Sequence, residues 1–315
     1  MIHRTHISNR DNKKMKSLTL LIVLALTFNT VTGQEICSFK TSDGESLFYT
    51  RTGNGPVIVF LSGGPGYGAS FLQPWADTLS KDFECILFEQ RGIGLSGNVK
   101  LDSTTMTLHR AVLDIDDLRK HLGEEAISLC GISWGGGLAQ AYASYFPENV
   151  KNMVLISSMG PDLTFLPAMN DNKSMRLFPD ERDSLLYWRK QPVSEKSKFK
   201  ILIFSQLPYF FDHNLGYNYI PEAFSNVAFS PKVSELMWKD LKKTYDLKTR
   251  LINYKGHCVI IRPRQDVIPG DAAYEIRELI PQAKIVIIER SGHYPQIENP
   301  EAFYHALKRA FSDIQ

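Results

Sequence analysis

Apolar residues fall in short runs that alternate with stretches of helical spacing along most of this chain. Residues 57–61, 85–88, 127–130, 153–156, 258–261 and 285–288 are almost free of polar positions and rich in β-branched side chains, the pattern of strands buried on both faces. Residues 38–39 and 47–51, with Asp43-Gly44 between them, predict an opening hairpin. Between the strands, Leu108, Val112, Ile115, Leu118 and Leu122 recur at helical spacing and Gly123 follows as a stop. A second helix is predicted over 138–146, ended by Pro147. A last one starts with Asn299 as cap and Pro300 at its first position, and buries Phe303, Leu307 and Phe311. Strands alternating with helices in this order predict an α/β fold with a largely parallel sheet.

The alternation breaks over residues 160–250. Polar, aromatic-rich, helix-compatible sequence with scattered prolines replaces the strand runs, and the strands resume at Cys258. This predicts a helical cap inserted after the sixth strand, between core segments 34–159 and 251–315. Aromatic residues there, such as Trp188, Tyr209, Phe210, Phe211 and Trp238, are read first as the interior of the cap. The basic run 190–200 is read as a solvated face.

Composition adds little to this until the N-terminus is considered. The 315 residues, 43% hydrophobic and 22% charged, exclude disorder and coiled coil and suffice for one large core. Lys13, Lys14 and Lys16 precede an apolar run over 18–28 that is too short to span a bilayer, and Val31-Thr32-Gly33 offers small residues for cleavage. Residues 1–33 are therefore read as a secretory signal cut near Gly33, with Met15 as an alternative start and an uncleaved membrane anchor as the other reading. Removing this segment takes away Arg4, Arg10, Lys13, Lys14, Lys16 and Asp11, so the formal charge of +2 becomes −2. Nothing then points to nucleic acid or an anionic membrane surface, and membrane contact is confined to the signal. The expected location is secreted or periplasmic. Cys85, Cys130 and Cys258 sit in strand-like runs and are expected as buried free thiols; the state of Cys37 stays open.

The chemistry centres on Gly131-Ile132-Ser133-Trp134-Gly135. A strand that delivers a serine into a tight turn flanked by glycines, with a helix following, lifts the hydroxyl clear of a sheet for nucleophilic attack. Ser133 is the candidate nucleophile, and it needs a base and an acid that orients the base. Asp266 follows the strand at 258–261, and Asp271 is the second candidate. His293, in Ser291-Gly292-His293 after the last strand, is the candidate base; His257, His109, His121 and His305 lie in strand or helix patterns and are read as surface or structural. The turn Ser62-Gly63-Gly64-Pro65-Gly66 follows the first long strand, so Gly64 N–H and Trp134 N–H are the expected oxyanion donors. Its spacing matches neither dinucleotide nor Walker phosphate loops. No cluster of His, Cys and acidic residues has ligand spacing, so no metal or organic cofactor is expected.

These motifs together resemble the α/β-hydrolase superfamily and, within it, the prolyl iminopeptidase family of serine peptidases. The resemblance rests on Gly63-Gly64-Pro65-Gly66, Glu89-Gln90-Arg91-Gly92-Ile93-Gly94-Leu95-Ser96, Asp114-Ile115-Asp116-Asp117-Leu118-Arg119, Gly131-Ile132-Ser133-Trp134-Gly135 and Gly292-His293-Tyr294. It implies an eight-stranded sheet with a helical cap, and release of an N-terminal residue, often proline, from short peptides. Some positions depart from the family's pattern. Ser62 replaces a usual histidine and Glu89 a usual aspartate. In the cap, where such proteins hold the substrate amine with glutamates, Arg189 follows Trp188 and Gln206 precedes Tyr209-Phe210. Trp188, Arg189, Gln206, Tyr209 and Phe210 are thus the expected substrate-contacting positions, with Asp212 or Glu222 as substitute acids. The reading is a serine hydrolase of prolyl aminopeptidase type, with a short peptide or a small ester or amide as partner. A carboxylesterase or amidase without an amine clamp is the alternative, and a non-catalytic binding protein on the same fold is the third.

Overall fold

Each of the six strand-like runs singled out above falls in a strand of one sheet. In chain order the strands are β1 (Glu35–Lys40), β2 (Ser46–Thr52), β3 (Val57–Leu61), β4 (Glu84–Glu89), β5 (Ile127–Ile132), β6 (Val150–Ile156), β7 (His257–Pro263) and β8 (Lys284–Ile288). The computed structural model describes residues 34–312, so the signal read over residues 1–33 lies outside the described residues. The strand order is β1-β2-β4-β3-β5-β6-β7-β8. Only β2 runs against its neighbours β1 and β4, and the remaining pairs are parallel.

Before the sixth strand the helices are α1 (Gln73–Leu79), α2 (Leu108–His121) and α3 (Trp134–Tyr145). Between β6 and β7 come α4 (Leu166–Arg176), α5 (Pro179–Arg189), α6 (Glu195–Gln206), α7 (His213–Ser225), α8 (Pro231–Thr244) and α9 (Lys248–Leu251). The chain closes with α10 (Asp271–Leu279), α11 (Pro295–Glu298) and α12 (Pro300–Ser312). Among the described residues, no helix is long and apolar enough to cross a membrane.

The two-residue period of a strand sorts the core into two layers. On β3, Val59 and Leu61 join the layer that holds Val112, Ile115 and Leu118 of α2 and Leu138 of α3. Ile58 and Phe60 face the other way, onto Trp75 of α1 and Phe303, Leu307 and Phe311 of α12. Both faces being covered is why the central runs carry no polar side. As expected, Asn299 caps α12: its Oδ1 accepts from Ala302 N at 3.4 Å.

Two features differ from the sequence reading. The helix expected from Leu138 begins at Trp134, because Gly135, Gly136 and Gly137, poor helix formers in isolation, are helical where packing is closest. A methyl group on Gly135 would run into the Leu61 carbonyl oxygen, and one on Gly137 would lie 2.6 Å from the Tyr245 hydroxyl. The inserted segment also divides in two. Ile203, Leu207, Phe210 and Ile220 form a small separate core among α6, α7 and the turn between them. Val233, Leu236, Met237 and Leu241 of α8 and Leu251 of α9 instead belong to the main core, and Asp240 Oδ2 accepts from Leu108 N at 2.8 Å, capping α2.

Candidate active site

Ser133 stands alone between β5 and α3. Its φ of 56° and ψ of −118° place it where a residue with a side chain is strained. The backbone is held there by Ser133 N donating to Ile156 O at 3.0 Å, and by Ser133 O accepting from Gly137 N at 3.1 Å and Met159 N at 3.2 Å. The flanking glycines are required by contact: a methyl group at Gly131 would be driven into the carbonyl of Gly135. Trp134 begins α3, so its N–H belongs to the first helical turn and has no acceptor within the helix.

Asp266 follows β7 and His293 follows β8, which brings both to the end of the sheet that carries Ser133. His293 Nδ1 lies 2.8 Å from Asp266 Oδ1, and the two residues are 4% and 5% exposed. An ionised carboxylate can only accept, so Nδ1 carries the proton and Nε2 is the nitrogen left as a base. Ile268 N donates to the same Asp266 oxygen at 3.1 Å. Asp271, the second candidate acid, lies exposed in the first turn of α10 and is not part of this pair. His109, His121 and His305 are exposed and His257 starts β7, all away from the cavity that His293 lines.

The segment 207–212, between α6 and α7, is tied to His293. His293 N donates to Tyr209 O at 2.7 Å, and the rings of Tyr209 and Tyr294 flank the imidazole at 5.1 and 5.3 Å. Glu298 accepts from Phe211 N at 2.7 Å and Asp212 N at 2.9 Å with one oxygen, and from Gly292 N at 2.6 Å with the other. Arg176 donates to Asp266 O at 2.8 Å and Pro208 O at 3.3 Å. Neither Arg176 nor Glu298 was singled out from sequence. Glu298 stands five residues after His293 and was open to notice; Arg176 is ninety residues from its partner and carries no local signal.

Gly63 and Gly64 line the same cavity, of about 90 Å³, as Ser133 and His293. The Gly64–Pro65 peptide is cis. This loop is fastened to the serine turn by a buried chain of hydrogen bonds. Trp134 Nε1 donates to Gln90 Oε1 at 2.9 Å, Gln90 Nε2 donates to Ser62 O at 3.0 Å and Ser62 Oγ at 2.9 Å, and Ser62 Oγ donates to Tyr67 O at 2.7 Å. Ser62 therefore has a positioning task where the family pattern has histidine.

Of the five cap positions expected to meet substrate, the structure brings Gln206 and Tyr209 to the cavity. Trp188 and Arg189 are elsewhere: Arg189, at the end of α5, lines a separate groove with Phe204 and Pro208, and Lys196 Nζ lies 5.5 Å from the centre of the Trp188 ring. Phe210 is buried in the small cap core instead. Asp212 caps α7 through Asn214 N and Leu215 N, and Glu222 is exposed; neither is among the residues that line the cavity. Tyr67, Tyr294 and Gln296, which also line the cavity, were not picked out individually. Cys85, Cys130 and Cys258 are buried free thiols as expected, and burial pushes Cys85 and Cys258 up to about 12; Cys37 is also free. Among the described residues, no three His, Cys, Asp or Glu side chains converge as they would around a metal ion.

The family model for the alpha/beta hydrolase fold matches residues 56–300. The chain belongs to that family. A proline iminopeptidase of Heyndrickxia coagulans is 25% identical over 267 residues, 81% of this chain and 90% of that protein. Among solved structures, an alpha/beta fold family hydrolase from Bacillus anthracis superposes with a TM-score of 0.71 at 18% identity, over 88% of this chain and 99% of the other. A proline iminopeptidase-related protein from Thermus thermophilus does so with a TM-score of 0.68 at 22% identity, over 90% and 98%. This alpha/beta hydrolase thus has the eight-stranded sheet and flanking helices that the resemblance implied, and its curated relatives carry the name of the family to which the motifs pointed.

Proposed function

We propose that the protein is an exported serine hydrolase that works by acyl transfer, with the part of the inserted segment built around α6 and α7 as a cap over the site. The observation that carries this reading is the strained turn at Ser133 opening into the same cavity as His293, whose Nδ1 is held 2.8 Å from Asp266. His293 Nε2 takes the Ser133 proton as Oγ attacks the scissile carbonyl, and Asp266 stabilises the imidazolium. The Gly64 and Trp134 N–H groups hold the oxyanion. The imidazolium then returns its proton to the leaving amine or alkoxide, and water, deprotonated by the same nitrogen, releases the acyl group from Ser133.

The names of the relatives favour a prolyl aminopeptidase type of activity, releasing an N-terminal residue from short peptides. A second reading, hydrolysis of uncharged esters or amides, is favoured by a specific feature, the lack of any carboxylate among the described residues that line the cavity. Both readings share one nucleophile. A fluorophosphonate probe is expected to label the protein once, at Ser133, and Ser133→Ala to abolish the labelling; labelling that persists in the variant overturns the assignment.

A further inference from the structure

Resting on that hydrolase reading, we propose that the cavity selects an uncharged acyl group and that Gln206 is the residue that sets the selection. The substrates this implies are N-blocked aminoacyl amides and esters and short-chain acyl esters, in place of peptides with a free, protonated N-terminus.

The walls around Ser133 are aromatic and aliphatic, with Phe71, Tyr219, Phe224 and Val227 among them. Their polar groups are two amides, Gln206 and Gln296, and tyrosine hydroxyls. Gln206 spans two walls: its Oε1 accepts from Tyr294 OH at 2.9 Å and its Nε2 donates to Tyr67 OH at 3.4 Å. Both tyrosines stay protonated, since burial pushes Tyr67 up to about 12 and Tyr294 well above its ordinary value. The strut is thus neutral, with its carbonyl oxygen taken by the Tyr294 hydroxyl and one amide hydrogen directed to the Tyr67 oxygen.

Three carboxylates around the cavity are committed elsewhere. Asp266 is bound to His293 and Ile268 N, Glu298 to three backbone N–H groups, and Asp212 to the first turn of α7. Glu89 is outside the lining; its Oε1 accepts from Ala69 N at 3.1 Å, and its Oε2, packed against Gly68 and Gly94, is buried without a hydrogen-bond partner. A positive charge stands behind one wall, because Lys173 Nζ donates to the hydroxyl of Tyr209, a wall residue, at 3.1 Å. An ammonium entering this space gives up its water and meets no carboxylate among the lining residues, which is unfavourable unless the amine is blocked or loses its proton.

The test compares matched pairs on the mature protein: alanyl and prolyl p-nitroanilides against their N-acetyl forms, and alanyl aryl ester against its N-acetyl form, with Ser133 labelling as the control. At pH 6 the N-acetyl partner is expected to have the higher kcat/KM by roughly tenfold or more. For the alanyl pairs the gap should narrow as pH rises past about 8 and the free amine loses its proton. Gln206→Glu keeps the shape of the strut and adds a charge, and is expected to move the free-to-blocked ratio at pH 6 about tenfold toward the free amine. A labelled wild-type protein that prefers the free amines at pH 6 overturns the proposal while leaving the hydrolase reading intact. A protein that is not labelled at Ser133 and turns over neither partner overturns the hydrolase reading, and this proposal with it. A folded Gln206→Glu protein with an unchanged ratio removes Gln206 from its role, and should that variant fail to fold, the wild-type ratio decides the rest.

Discussion

A single atom's position depends here on backbone that other residues forbid to relax. Ser133 holds its left-handed φ because Gly131 and Gly135 let β5, β3 and α3 approach to contact, and a side chain at either would collide with a carbonyl. Gly135→Ala is therefore expected to lower stability by about 1–3 kcal/mol, read as a drop in urea midpoint, with loss of activity. Asp266→Asn should keep the fold, leaving the melting temperature within a few degrees, yet cut kcat by roughly 10⁴ because the amide favours the wrong imidazole tautomer. Asp271→Asn, in the exposed first turn of α10, is the comparison; an equal loss there would exchange the two assignments. Ser133, Asp266 and His293 could be read from the chain because each sits just past a strand in a short, glycine-marked or strand-following segment. The Gln206 strut could not, since its partners Tyr67 and Tyr294 are 139 and 88 residues away and no spacing connects them. Arg189 looked informative only because a tryptophan preceded it, and the end of α5 carries both away from the cavity.

At the scale of elements, the working parts are joined by backbone N–H groups gathered on one carboxylate. Burial raises the pKa of Glu298, and the N–H groups of Asp212, Gly292 and Phe211 oppose that rise by favouring its ionised form. Glu298→Gln offers one acceptor oxygen where two served, so either the 207–212 segment or the His293 loop loses its tie. The expected result is a fall in kcat of about tenfold with a drop of a few degrees in melting temperature, for a buried N–H left without a partner. Unaltered kcat in a folded variant would show that the tie does not serve the base. The central strands β3 to β7 were legible because they are buried on both faces over most of their length, so hydrophobic runs mark them with little ambiguity. The start of α3 was hidden by three consecutive glycines, and α1 and α10, only 7 and 9 residues long, present too few turns for a period to show. The return of α8 and α9 to the main core was also invisible, because an apolar helical stripe does not say which of two cores it faces.

For the molecule as a whole, opposed carboxylate shifts set the response to pH. Burial works against ionisation of Asp43, Asp116 and Asp162, but hydrogen bonds prevail: from Thr41 and Arg91 to Asp43, from Lys120, Arg119 and Tyr142 to Asp116, and from Lys248 and Thr164 to Asp162. All three lie below the ordinary 3.8, so the unfolded chain takes up their protons first and the stability they supply is lost as pH falls below that value. Glu89 and Glu298 are shifted the other way by burial, so the folded protein holds their protons longer and stability declines as pH rises from 4.5 through their folded values. Urea midpoints measured from pH 3 to 8 should peak in the mildly acidic range, and Glu89→Gln should flatten the decline on the neutral side; a steady climb to pH 7 would contradict this balance. The cap brings a different consequence. Segment 207–212 takes the His293 N–H, packs a ring on its imidazole and shares the Glu298 carboxylate with its loop. For that segment to swing aside, it must take the moorings of His293 with it, so on the proposed mechanism its displacement and the readiness of the base exclude each other.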